Sequence, residues 1–270
     1  MEPAAPSNET QNQSLSAGLG TPRRPQPEDR LIVALDFPSS DAAMDLVDRL
    51  QGACRWFKVG TELYYAAGNQ ILDRLRERGF EVFLDLKLHD IPNTVAGAVR
   101  AVASTGASLL TVHAGGGERM MRAAAQAADR PGAPRLLAVT VLTSMDAAEL
   151  RAVGVVGDAG EGGSREAGGV VETQVLRLAR LARAAGIHGL VCSAEEVAAV
   201  REAMGPEALL VVPGIRPAGT GSSDDQSRVA SAAQAIARGA SKLVVGRPIA
   251  QAPDPARVAA GILAEIRNAD

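Results

Sequence analysis

Aromatic residues are scarce: one Trp, two Tyr and four Phe make up 3% of the 270 residues. That excludes a platform of rings for stacking bases. It also means the core must be built from Ala, Val and Leu, which suits close packing of helices on strands. Excess positive charge is lacking too. Lys and Arg number 28 against 31 Asp and Glu, a formal net charge of −3. Without a broad basic surface, indiscriminate nucleic-acid binding is not expected, and any phosphate held here is small and held locally. There are two cysteines, Cys54 and Cys192, too few for a disulfide framework, and both read as packing residues. No apolar run reaches the roughly 18 residues of a membrane span. The N-terminus lacks the basic-then-apolar order of a secretory signal, so a cytoplasmic protein without membrane attachment is expected. His89 and His188 have no second histidine at ligand spacing, which argues against a bound metal.

Hydrophobic residues make up 46%, and a chain of this size buries roughly three quarters of its unfolded surface, so a full core is available. Residues 1–29 are read as a disordered tail, because five of the 15 prolines fall before residue 28 and apolar periodicity is almost absent. Residues 30–270 are read as one catalytic domain. Within it, short apolar runs alternate with Ala/Leu/Arg-rich helical stretches. The strand candidates are 31–36, 55–60, 81–87, 108–114, 135–142, 188–193, 209–214 and 242–247, eight in all. The intervening helices are read at 41–50, 67–78, 95–105, 171–186 and 224–239. Nearly continuous apolar strands separated by helices imply parallel strands covered on both sides, and eight such units predict an α/β fold of the (β/α)8 TIM-barrel type. The alternative, a doubly wound open sheet, is disfavoured because LDFPSS after the first strand lacks a dinucleotide-binding glycine pattern. The segment 153–169, with seven glycines, is read as a surface loop.

In a barrel the carboxyl ends of the strands carry the chemistry. Those ends hold Asp36, Lys58, Asp85, Lys87, His113, Thr143, Ser144, Pro213, Arg216, Gly246 and Arg247, with Asp90 just beyond strand three. Charges in apolar strands cost free energy unless paired. Asp85 and Lys87 lie two apart, so strand periodicity predicts that both point into the barrel mouth. With Lys58 and Asp90 they form an expected array of two cations and two anions, read as a site rather than a structural ion network. PGIRP and VGRP place Arg216, Gly246 and Arg247 after strands seven and eight, where barrels frequently bind phosphate. The polar loop 217–226 reads as a lid over a ligand. HAGGG (113–117) reads either as a phosphate cradle or as a helix start with a satisfied His113. Trp56 reads as core.

The strings FKVG, LDLKLHDIPNT, LTS, PGIRP and VGRP closely resemble the orotidine 5′-phosphate decarboxylase family over about residues 30–268. The resemblance implies decarboxylation of orotidine 5′-phosphate to UMP and CO2, the last step of UMP synthesis, without metal or organic cofactor. It implies Lys87 as the proton donor to C6 and Asp85 beside the departing carboxylate. Lys58 and Asp90 would complete the charged network and touch the ribose hydroxyls. Asp36 would contact the nucleoside, and Thr143 and Ser144 the pyrimidine. Ile91, Thr94 and Pro213 are carried over as further substrate contacts. Arg216, Gln226 and Arg247 would hold the phosphate, with a backbone contact from Gly246. A homodimer is implied, in which Asp90 and Thr94 complete the partner's site. The glycine-rich segment near residue 160 departs from the pattern as an insertion. The readings kept beside this one are a Mg2+-dependent sugar-phosphate decarboxylase or aldolase of the same barrel group, a Schiff-base aldolase using Lys58 or Lys87, and a non-catalytic nucleotide-binding protein.

Overall fold

The structure is a computed structural model that describes residues 26–156, 169–187, 189–216 and 230–269. Eight strands run β1 (Leu31–Ala34), β2 (Trp56–Gly60), β3 (Glu81–Leu88), β4 (Leu109–His113), β5 (Arg135–Val139), β6 (Gly189–Val191), β7 (Leu209–Val212) and β8 (Lys242–Val245). They pair in that order, and β8 pairs parallel to β1 to close the barrel. Each of the eight anticipated runs coincides with one strand, and β3 extends one residue past its run, to Leu88. The other seven strands are shorter than their apolar runs.

The helices in chain order are α1 (Pro27–Arg30), α2 (Ser40–Arg49), α3 (Thr61–Ala67), α4 (Gln70–Glu77), α5 (Pro92–Ala103), α6 (Gly117–Ala128), α7 (Ala147–Ala152), α8 (Gly169–Ala184), α9 (Val197–Met204), α10 (Ala232–Ala237), α11 (Arg247–Ala250) and α12 (Pro255–Ala269). Local chemistry fixes their starts. The Ser39 hydroxyl accepts from the Ala42 amide at the head of α2, and Pro92 begins α5, where its missing N–H costs nothing. Ser231 and Gln234 form a reciprocal capping box on α10.

Three boundaries differ from the sequence reading. The helix expected at 67–78 starts only at Gln70, because Gly68 takes a left-handed φ of 58° and ends α3. The helix expected from 224 begins at Ala232 among the described residues, since Ala230 is engaged in a bridge with Ile215. Residues 27–29, assigned to the tail, belong to α1, and the Arg30 side chain that follows them donates to the Ala240 carbonyl at 2.7 Å. Residues 1–25 of the expected tail, most of the 153–169 loop, His188 and all of the 217–226 loop lie outside the described residues.

Alternation along the strands sorts the core into two layers. Ile32, Ala34, Phe83, Leu109, Leu137, Leu209, Val211 and Val244 fill the barrel interior. Their strand neighbours, such as Val33, Val82, Leu84 and Leu110, face the helices in a larger shell. Trp56 packs against the inner layer, as anticipated, and Lys242 lies over its ring at 3.7 Å.

Candidate active site

Above the inner apolar layer the inward positions become polar. Ala34 pairs with Lys58 across β1 and β2, and Gly60 pairs with Asp85 across β2 and β3. This register stacks the charged groups on one wall. The Lys58 ammonium is 2.9 Å from Asp36 Oδ1 and 3.8 Å from Asp85 Oδ2. The Lys87 ammonium donates to the same Asp85 Oδ2 at 2.9 Å. Asp85 therefore carries two cations on one oxygen, and it is buried. Such a buried carboxylate is tolerable only because it is paired.

Lys87 does not reach this position by regular alternation. Between β3 and β4 the register passes from Leu84↔Leu110 to Leu88↔Val112, so β3 uses four residues where β4 uses two. Within this bulge Lys87 has a φ of 49°, in the left-handed region. Bulges concentrate at barrel rims and re-aim side chains, and this one aims the Lys87 ammonium at Asp85.

The pair opens onto a cavity of about 520 Å³. Asp36, Lys58, Asp85 and Lys87 form one wall, and Phe83, Val139, Val191 and Val244 form an apolar floor. Thr143, Pro213, Arg216, Gly246 and Arg247 line the remainder. Arg216 is positioned by its backbone, whose N–H donates to the Ala230 carbonyl at 3.0 Å. Arg247 is the first residue of α11, directly after Gly246. Two guanidinium-bearing residues thus share a cavity with the two lysines.

Four expected site residues are not gathered here. Asp90, Ile91 and Thr94 are exposed at the β3–α5 junction, and Asp90 accepts a hydrogen bond from the Ile91 amide at 2.6 Å. The four-membered array expected from sequence is therefore, within one chain, the set Asp36, Lys58, Asp85 and Lys87, with Asp90 turned away. Ser144 is exposed and does not line the cavity. Gln226 lies outside the described residues.

Sequence reading missed Thr111 and Gln251. Gln251 lines the cavity from beyond α11. Thr111 is fully buried and donates to Asp85 Oδ1 at 3.0 Å. Its signal was a single hydroxyl in the apolar run LLTVH, on the same face as Leu109 and His113. His113 itself accepts from the Gly115 amide at 3.1 Å and stacks on His89 with ring centres 5.1 Å apart. Burial, then His89 and Lys87, hold its pKa below the ordinary value. HAGGG is a helix start with a satisfied histidine.

Among the described residues, no group of three or more His, Cys, Asp or Glu converges on a metal position. Both Asp85 oxygens are engaged, one by Thr111 and one by lysine, and Asp36 faces an ammonium. With its carboxylates already paired to lysine, that donor set suits an anionic ligand better than a divalent ion, which needs several free oxygens.

The profile of the Orotidine 5'-phosphate decarboxylase / HUMPS family matches residues 29–262. The chain belongs to this family. A curated Orotidine 5'-phosphate decarboxylase from Halorhodospira halophila is 53% identical over 89% of this chain and 97% of its own length. One from Anaeromyxobacter dehalogenans is 52% identical over 88% of this chain and 99% of its own. The crystal structure of Orotidine 5'-phosphate decarboxylase from Lactobacillus acidophilus superposes with a TM-score of 0.73 at 36% identity, covering 88% of this chain and 99% of that one. The closed eight-stranded architecture of this chain is thus shared with that solved structure. No helix among the described residues is long and apolar enough to cross a membrane.

Proposed function

We propose that this chain converts orotidine 5′-phosphate to UMP and CO2, with Lys87 as the proton donor and no metal or organic cofactor. The observation that carries this reading is Asp85 held between Lys58 and Lys87 in a cavity that also contains Arg216 and Arg247. The lysines and Asp85 suit the reacting end of the substrate, and the two arginines suit its phosphate.

Loss of CO2 from C6 leaves an electron pair in the plane of the pyrimidine, where no carbonyl can delocalise it. A fixed ammonium at that position stabilises the developing charge without reorganising. The C6–carboxylate bond breaks, its electron pair stays on C6, and CO2 departs. A proton from Lys87 Nζ then forms the C6–H bond, and the resulting amine recovers a proton from water. At about 4 Å and an effective dielectric near 20, one such charge pair contributes about 4 kcal/mol. Enzymes typically lower barriers by about 8–23 kcal/mol, so Lys87 is one part of the whole. Binding energy from the distant phosphate supplies another part when it holds the substrate in a drier, pre-aligned site. Asp36 and Lys58 fit the nucleoside, Thr143 the pyrimidine and Gly246 a phosphate oxygen. Ser144, Pro213 and Gln226 are assigned to substrate contacts by resemblance.

Asp90, Ile91 and Thr94 fit a second role. Their exposure at one junction suits donation to a neighbouring copy, so the working unit is proposed to be a homodimer in which Asp90 and Thr94 complete the partner's site. The cytoplasm is the proposed compartment, compatible with two buried free thiols.

The deciding experiment follows the ultraviolet absorbance of orotidine 5′-phosphate with purified protein in EDTA. Rapid loss of substrate absorbance is expected. Lys87→Ala should lower the rate by at least about 10²-fold, the low end of what a positioned acid contributes. Inactivity in EDTA that Mg2+ restores on a sugar phosphate would move the chain to the aldolase branch. Tight nucleotide binding without turnover would make it a binder.

A further inference from the structure

The bulge that aims Lys87 leaves a backbone problem. Where β3 and β4 fall out of register, the Lys87 N–H cannot join a regular strand ladder, and a partly buried amide without an acceptor carries a free-energy cost. Thr111 resolves it. Its Oγ1 accepts from the Lys87 amide at 2.8 Å. A hydroxyl has one proton, and with the amide donating to Oγ1, that proton goes to Asp85 Oδ1 at 3.0 Å. The hydrogen bonds therefore run in one direction, from the Lys87 N–H to Thr111 and on to the Asp85 carboxylate.

The loop closes on itself. The other oxygen, Asp85 Oδ2, accepts from the Lys87 ammonium at 2.9 Å. One side chain thus links the left-handed backbone of Lys87, at φ 49°, to the carboxylate that receives that residue's own ammonium. Lys58 from β2 also faces Asp85, with Asp36 from β1 behind it, and His113 on β4 lies near enough to feel Lys87 electrostatically. None of these groups is hydrogen-bonded to the Lys87 amide; Thr111 is.

We infer that Thr111 is a positioning residue: its hydroxyl fixes both the bulged backbone of Lys87 and the orientation of Asp85, so that the ammonium is aimed before substrate arrives. The inference rests on the decarboxylase reading for its kinetic consequence, while the clamp itself can be tested without turnover.

The test compares Thr111→Val, which keeps shape and removes the hydroxyl, with Thr111→Ser, which keeps the hydroxyl and removes the methyl. Thr111→Ala serves as a second deletion should the valine variant fold poorly. For Val and Ala, kcat should fall at least about tenfold with KM changed less than about threefold, because the loss lies in the transition state rather than in ground-state binding. Ser should stay within about threefold of the parent on the same measure. Independently of activity, the Lys87 amide should be protected from hydrogen exchange in the parent and in Ser, and should lose that protection in Val and Ala. A Ser variant as impaired as Val, or a Val variant with parental kcat and a protected Lys87 amide, would overturn the inference. If the parent itself does not consume orotidine 5′-phosphate, the decarboxylase reading fails, and the exchange data alone still decide whether the clamp exists.

Discussion

Lys58 and Asp36 form the tighter half of the Lys58 pairing, at 2.9 Å, although the Lys58 side chain is 12% exposed and that of Asp36 is 59% exposed. A pair with one exposed partner contributes little to stability, because solvent screens it. Its value here is geometric: it draws Lys58 away from Asp85, to 3.8 Å, and leaves the 2.9 Å contact with Asp85 to Lys87. Asp36→Asn should therefore leave the thermal midpoint within about 2 °C, as surface substitutions do. It should lower kcat/KM at least about tenfold, equivalent to about 1.4 kcal/mol of transition-state stabilisation. Thermal melts beside steady-state kinetics decide it. A large drop in melting temperature with unchanged turnover per folded molecule would make the pair structural.

Gly60 tests the same wall by crowding. A Cβ added there would lie 3.0 Å from Lys58 Nζ and 3.3 Å from Asp36 Oδ1, with no other heavy atom inside 4 Å. Its φ of −90° suits any L-residue, so the backbone is not the obstacle. Gly60→Ala should fold normally and push the ion pair apart by a few tenths of an ångström. Misplacement on that scale should reduce kcat/KM by roughly tenfold while denaturant midpoints hold, since near-attack geometry is sensitive to shifts below 1 Å. Equal kinetics in the two proteins would show that the pair can relax without cost to catalysis.

The barrel was legible because eight apolar runs spaced by helical stretches admit few topologies, and because charges at strand ends stand out against Val and Leu. Lys58, Asp85 and Lys87 could be grouped on that ground alone, whereas Asp36 was noted only as the end of strand one and joins them through its 2.9 Å contact with Lys58. The reason for the Asp85–Lys87 contact was not legible. Strand periodicity anticipates the two side chains on one face, whereas the contact depends on a two-residue excess in β3 and a left-handed Lys87. A bulge is a relation between two strands, so neither strand's sequence announces it. Thr111 was hidden for the same reason: a lone threonine in an apolar strand gains meaning only from the amide opposite it. Asp90 was placed with the lysines by proximity in sequence, but β3 ends at Leu88 and Asp90 sits at an exposed bend just before α5.

The far end of the barrel predicts a pH dependence of stability. Lys242 lies over Trp56 and donates to the Asp29 carbonyl. Burial pushes its ammonium from the usual 10.5 down to about 8, with Asp29 and Glu81 opposing the shift and Arg135 and Arg30 adding to it. In the unfolded chain Lys242 keeps its proton up to about 10.5, while in the folded chain it gives the proton up near 8. Between those values the unfolded state binds more protons, so this residue makes stability rise with pH across the window. Below about 8 the cost of the buried charge is fully present. As pH climbs from about 7.5 to about 10, the urea midpoint of the parent should rise relative to that of Lys242→Met, which lacks the titrating group. Parallel curves would show that the ammonium keeps its ordinary titration in the fold.

The outward turn of Asp90 makes the last prediction. Asp90 and Thr94 are exposed beside a site that holds Lys87 but not Asp90. If a second copy supplies them, Lys87→Ala and Asp90→Ala should each be inactive alone, for separate reasons. In a mixed dimer, one site combines both defects and the other receives intact Lys87 from one chain and intact Asp90 from its partner. With random exchange between symmetric protomers, half the dimers are mixed, so an equimolar mixture should recover about a quarter of the parental activity per site. The measurement is turnover after the two variants are unfolded together and refolded, against each refolded alone. Recovery requires both a dimer and a shared site. If the mixture stays inactive while sedimentation shows mixed dimers, Asp90 serves its own chain or none. If it stays inactive with monomers throughout, the proposed dimer falls.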